Sequence, residues 1–106
     1  MPYYVYVIEL DKEVIKSKKF RLQNPNMNVR KKCFYVGQTC HEPNIRFKQH
    51  KDGGRLSNNF VKKYGLWLRK RMYRKYNPIL TRKKALTLEE ELTEKLRKKG
   101  HGVWSN

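Results

Sequence analysis

Glu89 is the residue whose position most needs a chemical explanation. It lies four residues after Ala85, three before Leu92 and seven before Leu96, inside the apolar stripe of an amphipathic segment. A carboxylate there is disfavoured unless it has a partner or a metal. Two readings fit: Glu89 sits at the edge of the stripe and pairs with a Lys or Arg, or it holds a cation. Arg46 and His50 are four apart in a segment opened by Pro43, so they project from one helix face. A guanidinium beside an imidazole suits a phosphate group; a solvated basic face is the plainer alternative. Tyr4, Tyr6 and Ile8 share one face of an extended run, and Tyr35 shares a face with Cys33 and Gly37. Aromatics on a sheet usually pack, but a phenol facing a cleft can donate a hydrogen bond or, with a lowered pKa, accept a proton.

The elements that must position these groups can be read in outline. Residues 3–10 form a continuous apolar and aromatic run, too short for an ordinary helix, and read as a strand buried on both faces. Residues 33–38 read as a second strand ending near Gly37. Between them, residues 11–32 are polar and basic and contain Asn24-Pro25-Asn26, so a long surface excursion is expected, with a short β-ribbon around Val14 and Phe20. Pro43 opens a helix that runs to about Lys51 and stops at Gly53-Gly54. Ser57 is expected to cap a short helix over 58–63, and residues 66–76, with their basic alternation, an edge strand with one wet face. Thr81 caps the last helix, over 82–99, whose apolar face is Ala85, Leu88, Leu92 and Leu96. Glu91 with Lys95 and Glu94 with Lys98 are spaced for pairing on its outer side.

Composition narrows the partner. The 106 residues suit one domain, and Lys plus Arg total 26 against 9 Asp plus Glu, a net charge of +17. Four of the nine acids, Glu89, Glu90, Glu91 and Glu94, fall in one window, so the remainder is more basic still. Such self-repulsion is best tolerated beside a polyanion, and nucleic acid is the commonest. No apolar run could span a bilayer, and the N-terminus lacks the flanks of a signal peptide, so a cytoplasmic protein without membrane partners is expected. Cys33 and Cys40 lie about 20 Å apart if the segment between them is extended, too far for a disulfide. The adjacent Cys40 and His41 do not form a standard zinc ligand pair, and both thiols read as free.

The order of the chemical groups carries more than any one of them. Tyr4-Val5-Tyr6 on one strand, Tyr35-Val36-Gly37 on a second, Arg46 and His50 on a helix, then Glu89 on a later helix resembles the GIY-YIG nuclease superfamily over residues 4–104. Tyr-Val-Gly-Gln-Thr followed by Arg-Phe-Lys-Gln-His is the most specific part; Ala-Leu-Thr-Leu-Glu and the closing Gly-His-Gly-Val-Trp add to it. The resemblance implies an α+β fold, a small three-stranded antiparallel sheet flanked by helices in the order β-β-α-α-β-α. It implies a single nuclease domain over 1–106 with a basic insertion at about 11–32. It also implies roles: Tyr6 and Tyr35 as the motif tyrosines, Arg46 on the phosphate, His50 one turn on, and Glu89 as ligand of one Mg²⁺ or Mn²⁺. Tyr4 stands where the family name has glycine, and the gap from Tyr6 to Tyr35 is far longer than usual. Tyr4, Gly37 and Asn106, the last at the place of a late asparagine, are candidate supporting residues.

The implied reaction is phosphodiester hydrolysis by water, with Tyr6 as general base and ends left as 5′-phosphate and 3′-hydroxyl. A free phenol has a pKa near 10, so this expectation requires surrounding cations to favour the Tyr6 phenolate. Whether Tyr6 or His50 takes the proton stays open. Lys62, Lys63, Arg69, Lys70, Arg71, Arg74 and Lys75 are expected to grip a nucleic-acid backbone, DNA in preference to RNA. One site per chain would nick one strand, so a double cut would need a dimer, and specificity would come from loops or a protein partner. The competing reading is a non-catalytic basic DNA- or RNA-binding module, which the charge alone supports equally.

Overall fold

The first strand takes its place because it is apolar on both faces. In a computed structural model describing residues 2–53 and 58–105, β1 (Tyr4–Leu10) is buried from Val5 onward. It pairs antiparallel with β2 (Cys33–Thr39), Tyr6 opposite Gly37 and Ile8 opposite Tyr35. The connection between them differs from the excursion expected. It forms a 3-10 turn, Lys12–Lys16, and a short helix α1, Lys18–Gln23, and no β-ribbon. Asp11 and Ser17 cap the two turns with their side chains, accepting from the N–H groups of Glu13 and Phe20. Val14 and Phe20 have no exposed surface, so the segment is anchored in the core at these points while most of its other residues stay at the surface, as expected. Asn24, also buried, donates to the Phe20 carbonyl and accepts from Arg97 and from the N–H of Val103.

Helix α2 (Pro43–Asp52) begins on its proline and ends at Gly53, whose φ of 76° is the left-handed closure that favours glycine. Gly54 and Ser57 lie outside the described residues. Helix α3 (Asn59–Tyr64) is capped by Asn58, whose Oδ1 accepts from Phe60 and Val61. β3 (Gly65–Leu68) covers only the start of the expected edge strand; residues 70–72 and 74–76 are 3-10 turns. Alternating charge in this stretch imitates a strand, but Arg69 leaves the strand direction to meet Glu9 on β1, at 2.6 Å. Helix α4 (Arg82–Lys98) starts as expected on Thr81, whose Oγ1 accepts from the Lys84 N–H.

After α4 the chain returns as β4 (Gly102–Ser105), which pairs parallel with β2. The sheet is therefore four-stranded and mixed, in the order β3-β1-β2-β4, and not the three-stranded antiparallel sheet expected. Gly102 makes this possible: a Cβ there would lie 2.7 Å from the Phe20 ring. The α+β class stands. The face carrying Tyr6, Tyr35 and Trp104 meets α2 through His50 and α1 and α3 through the Phe20, Phe60 and Trp104 rings. The opposite face meets α4, where Ser105 reaches Glu89. Cys33 is buried and Cys40 exposed, and both are free thiols. Among the described residues no helix is long and apolar enough to cross a membrane.

Candidate active site

The β1–β2 register sets the first two groups. Tyr6 lies across from Gly37, and Tyr35 is two residues back along β2, so the phenols are diagonal neighbours on one face with ring centroids 5.9 Å apart. Gly37 is needed here for space. A Cβ at that position would stand 2.6 Å from Tyr6 Oη and 3.0 Å from Tyr35 Cε1. Without a side chain at residue 37, the Tyr6 ring lies down over β2.

Helix α2 lowers His50 onto the pair. Its imidazole has no exposed surface, and Nε2 is 2.9 Å from Tyr6 Oη. The N–H of Asn58 donates to Nδ1, also at 2.9 Å. That bond occupies the Nδ1 lone pair, so the neutral ring carries its proton on Nε2 and donates it to the Tyr6 oxygen. Burial, and secondarily the charge of Arg46, lowers the His50 pKa to about 4. His50 is thus a neutral donor whose basic nitrogen already faces a main-chain N–H. Arg46, one turn earlier, donates to Gln49 at 3.2 Å, and its charge acts on both Tyr6 and Tyr35.

The tyrosines differ from expectation in one respect. Burial first, and then Tyr35, drives the Tyr6 pKa well above its ordinary value, with Arg46 opposing. Burial also raises Tyr35. Desolvation outweighs the Arg46 guanidinium, so Tyr6 is a neutral phenol in the free protein, and the expectation that cations hold it as a phenolate is not met among the described residues.

Glu89 comes from α4, on the far side of the sheet. It is only 7% exposed, inside the apolar face as its spacing requires. Its Oε1 accepts from Ser105 Oγ at 2.9 Å. Among the described residues it makes no ion pair, so the Lys or Arg partner of the plainer reading is not found. Burial raises its pKa, Ser105 opposes, and Glu90 adds to the rise. The Glu89 charge reaches Tyr35, which links it to the tyrosine pair. Among the described residues no three His, Cys, Asp or Glu side chains gather as a metal cage. A cation here would rest on one carboxylate, waters and substrate oxygens, the manner in which Mg²⁺ is commonly held. A buried carboxylate that makes no ion pair among the described residues fits that arrangement.

Tyr6, Tyr35 and His50 thus stand together over Gly37, with the Arg46 charge acting on both phenols, while Glu89, across the sheet, meets this group through its charge on Tyr35. Tyr4 lies two residues before Tyr6, half-buried, and lines a neighbouring cavity. Asn106 lies outside the described residues. Of the basic set, Lys62 and Lys63 stand exposed on α3, Lys70, Arg71, Arg74 and Lys75 on the 3-10 turns. Arg69 differs, being bound to the buried Glu9 together with Lys32. Sequence reasoning missed Asn58, Ser105 and Glu9. Glu9 carried a usable signal, a carboxylate inside an apolar run; Asn58 acts through its main chain and carried none.

No protein-family model, curated protein or solved structure matches this chain. The functional reading therefore rests on the geometry above.

Proposed function

We propose that this protein is a metal-dependent endonuclease of the GIY-YIG kind, hydrolysing phosphodiester bonds of nucleic acid, DNA foremost. The observation that supports it best is the buried carboxylate of Glu89, which among the described residues makes no ion pair and whose charge acts on Tyr35 of the Tyr6–Tyr35–His50 cluster. A binding module gains nothing from such a carboxylate beside a phosphate site.

In this reading Glu89 holds one Mg²⁺ or Mn²⁺, which when bound supplies charge against the phosphate and the leaving oxygen. Arg46 faces the non-bridging oxygens. Tyr6 Oη accepts from His50 Nε2–H, which fixes the phenol and leaves its own proton directed away from the imidazole. The tautomer removes His50 from the base role and makes it the group that orients Tyr6. For Tyr6 to accept the proton of water it must first lose its own; Arg46 favours that loss but does not outweigh burial.

The test is nicking of plasmid DNA, and cleavage of structured RNA, with Mg²⁺ or Mn²⁺ and with chelator. Glu89→Gln keeps the size and the bond from Ser105 while removing the charge. Nicking should fall by orders of magnitude, and DNA affinity in metal-free buffer should hold or rise. Wild-type nicking by the variant would overturn the reading. Salt-sensitive binding by a wild-type protein that never cleaves would favour the binding module.

A further inference from the structure

We propose that the cavity between Tyr4 and Tyr73 is a subsite for one unstacked nucleobase of the strand to be cut. This rests on the nuclease reading and says how its substrate is held. The cavity, of about 300 Å³, lies between β1, the first turn of α2 and the two 3-10 turns. Two aromatic side chains line it, and base–aromatic stacking accepts any base because every base has a π-face.

Tyr73 gives the stronger indication. The residue is only 3% exposed, and among the described residues its hydroxyl has no hydrogen-bond partner. The hydroxyl is not a fully enclosed atom, so on the wall of the cavity it is open to water or to a ligand atom. Burial pushes its pKa up to about 12, so it remains a donor throughout the working range. The exposed Lys70 and Arg74 line the same cavity, where the phosphate attached to an inserted base would need cations. Glu42 and Asn44, exposed on the α2 side, offer an acceptor and an amide to base edges.

Position ties this cavity to the five-residue site. Asn77 lines it while binding both the N–H and the C=O of Val5, at 2.9 and 2.8 Å, which fixes the cavity wall to the residue between Tyr4 and Tyr6. Tyr4 and Tyr6 share one strand face about 7 Å apart. Glu42, the N-cap of α2, is one turn before Arg46 and Arg46 one turn before His50. One strand alternation and one helical turn thus separate the cavity's lining residues from Tyr6 and Arg46.

The experiment compares binding of an oligothymidylate with that of an abasic phosphodeoxyribose strand of equal length and charge, in metal-free buffer. Wild-type protein should prefer the strand with bases by about 5- to 100-fold, the range of base–aromatic stacking. Tyr4→Ala should abolish most of that preference and Tyr73→Phe should reduce it several-fold. Both should bind the abasic strand as the wild type does, which also shows that they are folded. Equal wild-type affinity for the two strands, or a full preference retained in both variants, would overturn the subsite. No cleavage is involved, so a failed nuclease reading appears as absent metal-dependent nicking with the base preference intact. A failed subsite appears as nicking without the preference.

Discussion

Replacing Gly37 with Ala tests the site through one methyl group. The new Cβ would stand 2.6 Å from Tyr6 Oη and 2.7 Å from Cζ, where ordinary contact begins at 3.4 Å, so the ring must move by roughly 0.8 Å. It cannot bend, since a phenol is rigid, and Tyr35 and His50 stand on two of its sides with ring centroids 5.9 and 6.2 Å away. Any escape from β2 must disturb the 2.9 Å contact with His50 Nε2. Overpacking of this kind costs about 1–3 kcal/mol, against a total of about 5–15 for a domain, so the fold should survive with a lower Tm. Misplacing a reacting group by about 1 Å costs about 10²-fold in rate, and nicking should fall on that scale. Melting and nicking are measured on one preparation. A second background separates the causes: Tyr6→Leu has neither Cζ nor Oη, so Gly37→Ala should lower Tm much less there than in the wild type. Unchanged Tm and nicking in the single variant, or equal destabilisation in both backgrounds, would refute the placement of Tyr6 over Gly37.

With His50 lowered to about 4, the nicking rate should show no inflection near pH 6.5 and, if Tyr6 is the base, should climb toward alkaline pH; a limb near 6.5 would return the base role to His50. The same depressed pKa means the folded protein resists protonating His50, so stability present above pH 6.5 should be lost as pH falls toward 4, less so in His50→Gln, as urea titrations would show. Binding to duplex DNA should weaken with salt at a log–log slope of about −0.9 per phosphate, and Ala at Lys70, Arg71 or Arg74 should each reduce its magnitude by about 1 where a phosphate is gripped; a flat dependence would exclude that surface. Arg69→Met should instead lower Tm by removing a partner of buried Glu9, at about 2 kcal/mol, below the about 3–5 of a fully buried pair because Arg69 is one-third exposed and Lys32 remains.

What could be read from the sequence follows the range of the interactions involved. β1, α2 and α4 were legible because local chemistry marks them: an apolar run, Pro43 with Gly53 at the ends, Thr81 before a stripe. α1 has six residues, too few for a helical period to declare itself, so Val14 and Phe20 stood out as apolar positions without revealing the turn and helix that carry them into the core. β4 is four residues whose partner is β2, some seventy positions earlier, and a parallel edge strand leaves no local pattern. The five-residue site was legible as residue types in order. Its electrostatics were not, because the fate of Tyr6 depends on burial outweighing Arg46, and the tautomer of His50 depends on a main-chain N–H.

Two carboxylates in the same molecule sharpen the case for Glu89. Glu9 and Glu89 are equally enclosed, at 6% and 7% exposure, and both interrupt apolar faces. Glu9 receives Arg69 at 2.6 Å and Lys32 at 3.3 Å, as expected of a buried charge in a chain with 26 Lys and Arg. Glu89 receives a serine hydroxyl, and burial raises its pKa. Cations are not scarce on this protein, so the lack of an ion pair to Glu89 among the described residues is a property of that site and not of supply. An internal Lys or Arg there would neutralise the carboxylate and occupy the oxygens a metal needs. Leaving it with a hydroxyl keeps it oriented, unpaired and able to take charge from outside the chain. If Glu89 were structural, substituting Lys32 and Arg69 on Glu9 would be expected to destabilise the fold, and Glu89→Gln to do the same. If Glu89 is a cation ligand, the two sites should respond in opposite directions: loss of partners lowers stability at Glu9, while loss of charge at Glu89 leaves metal-free stability unchanged or raised.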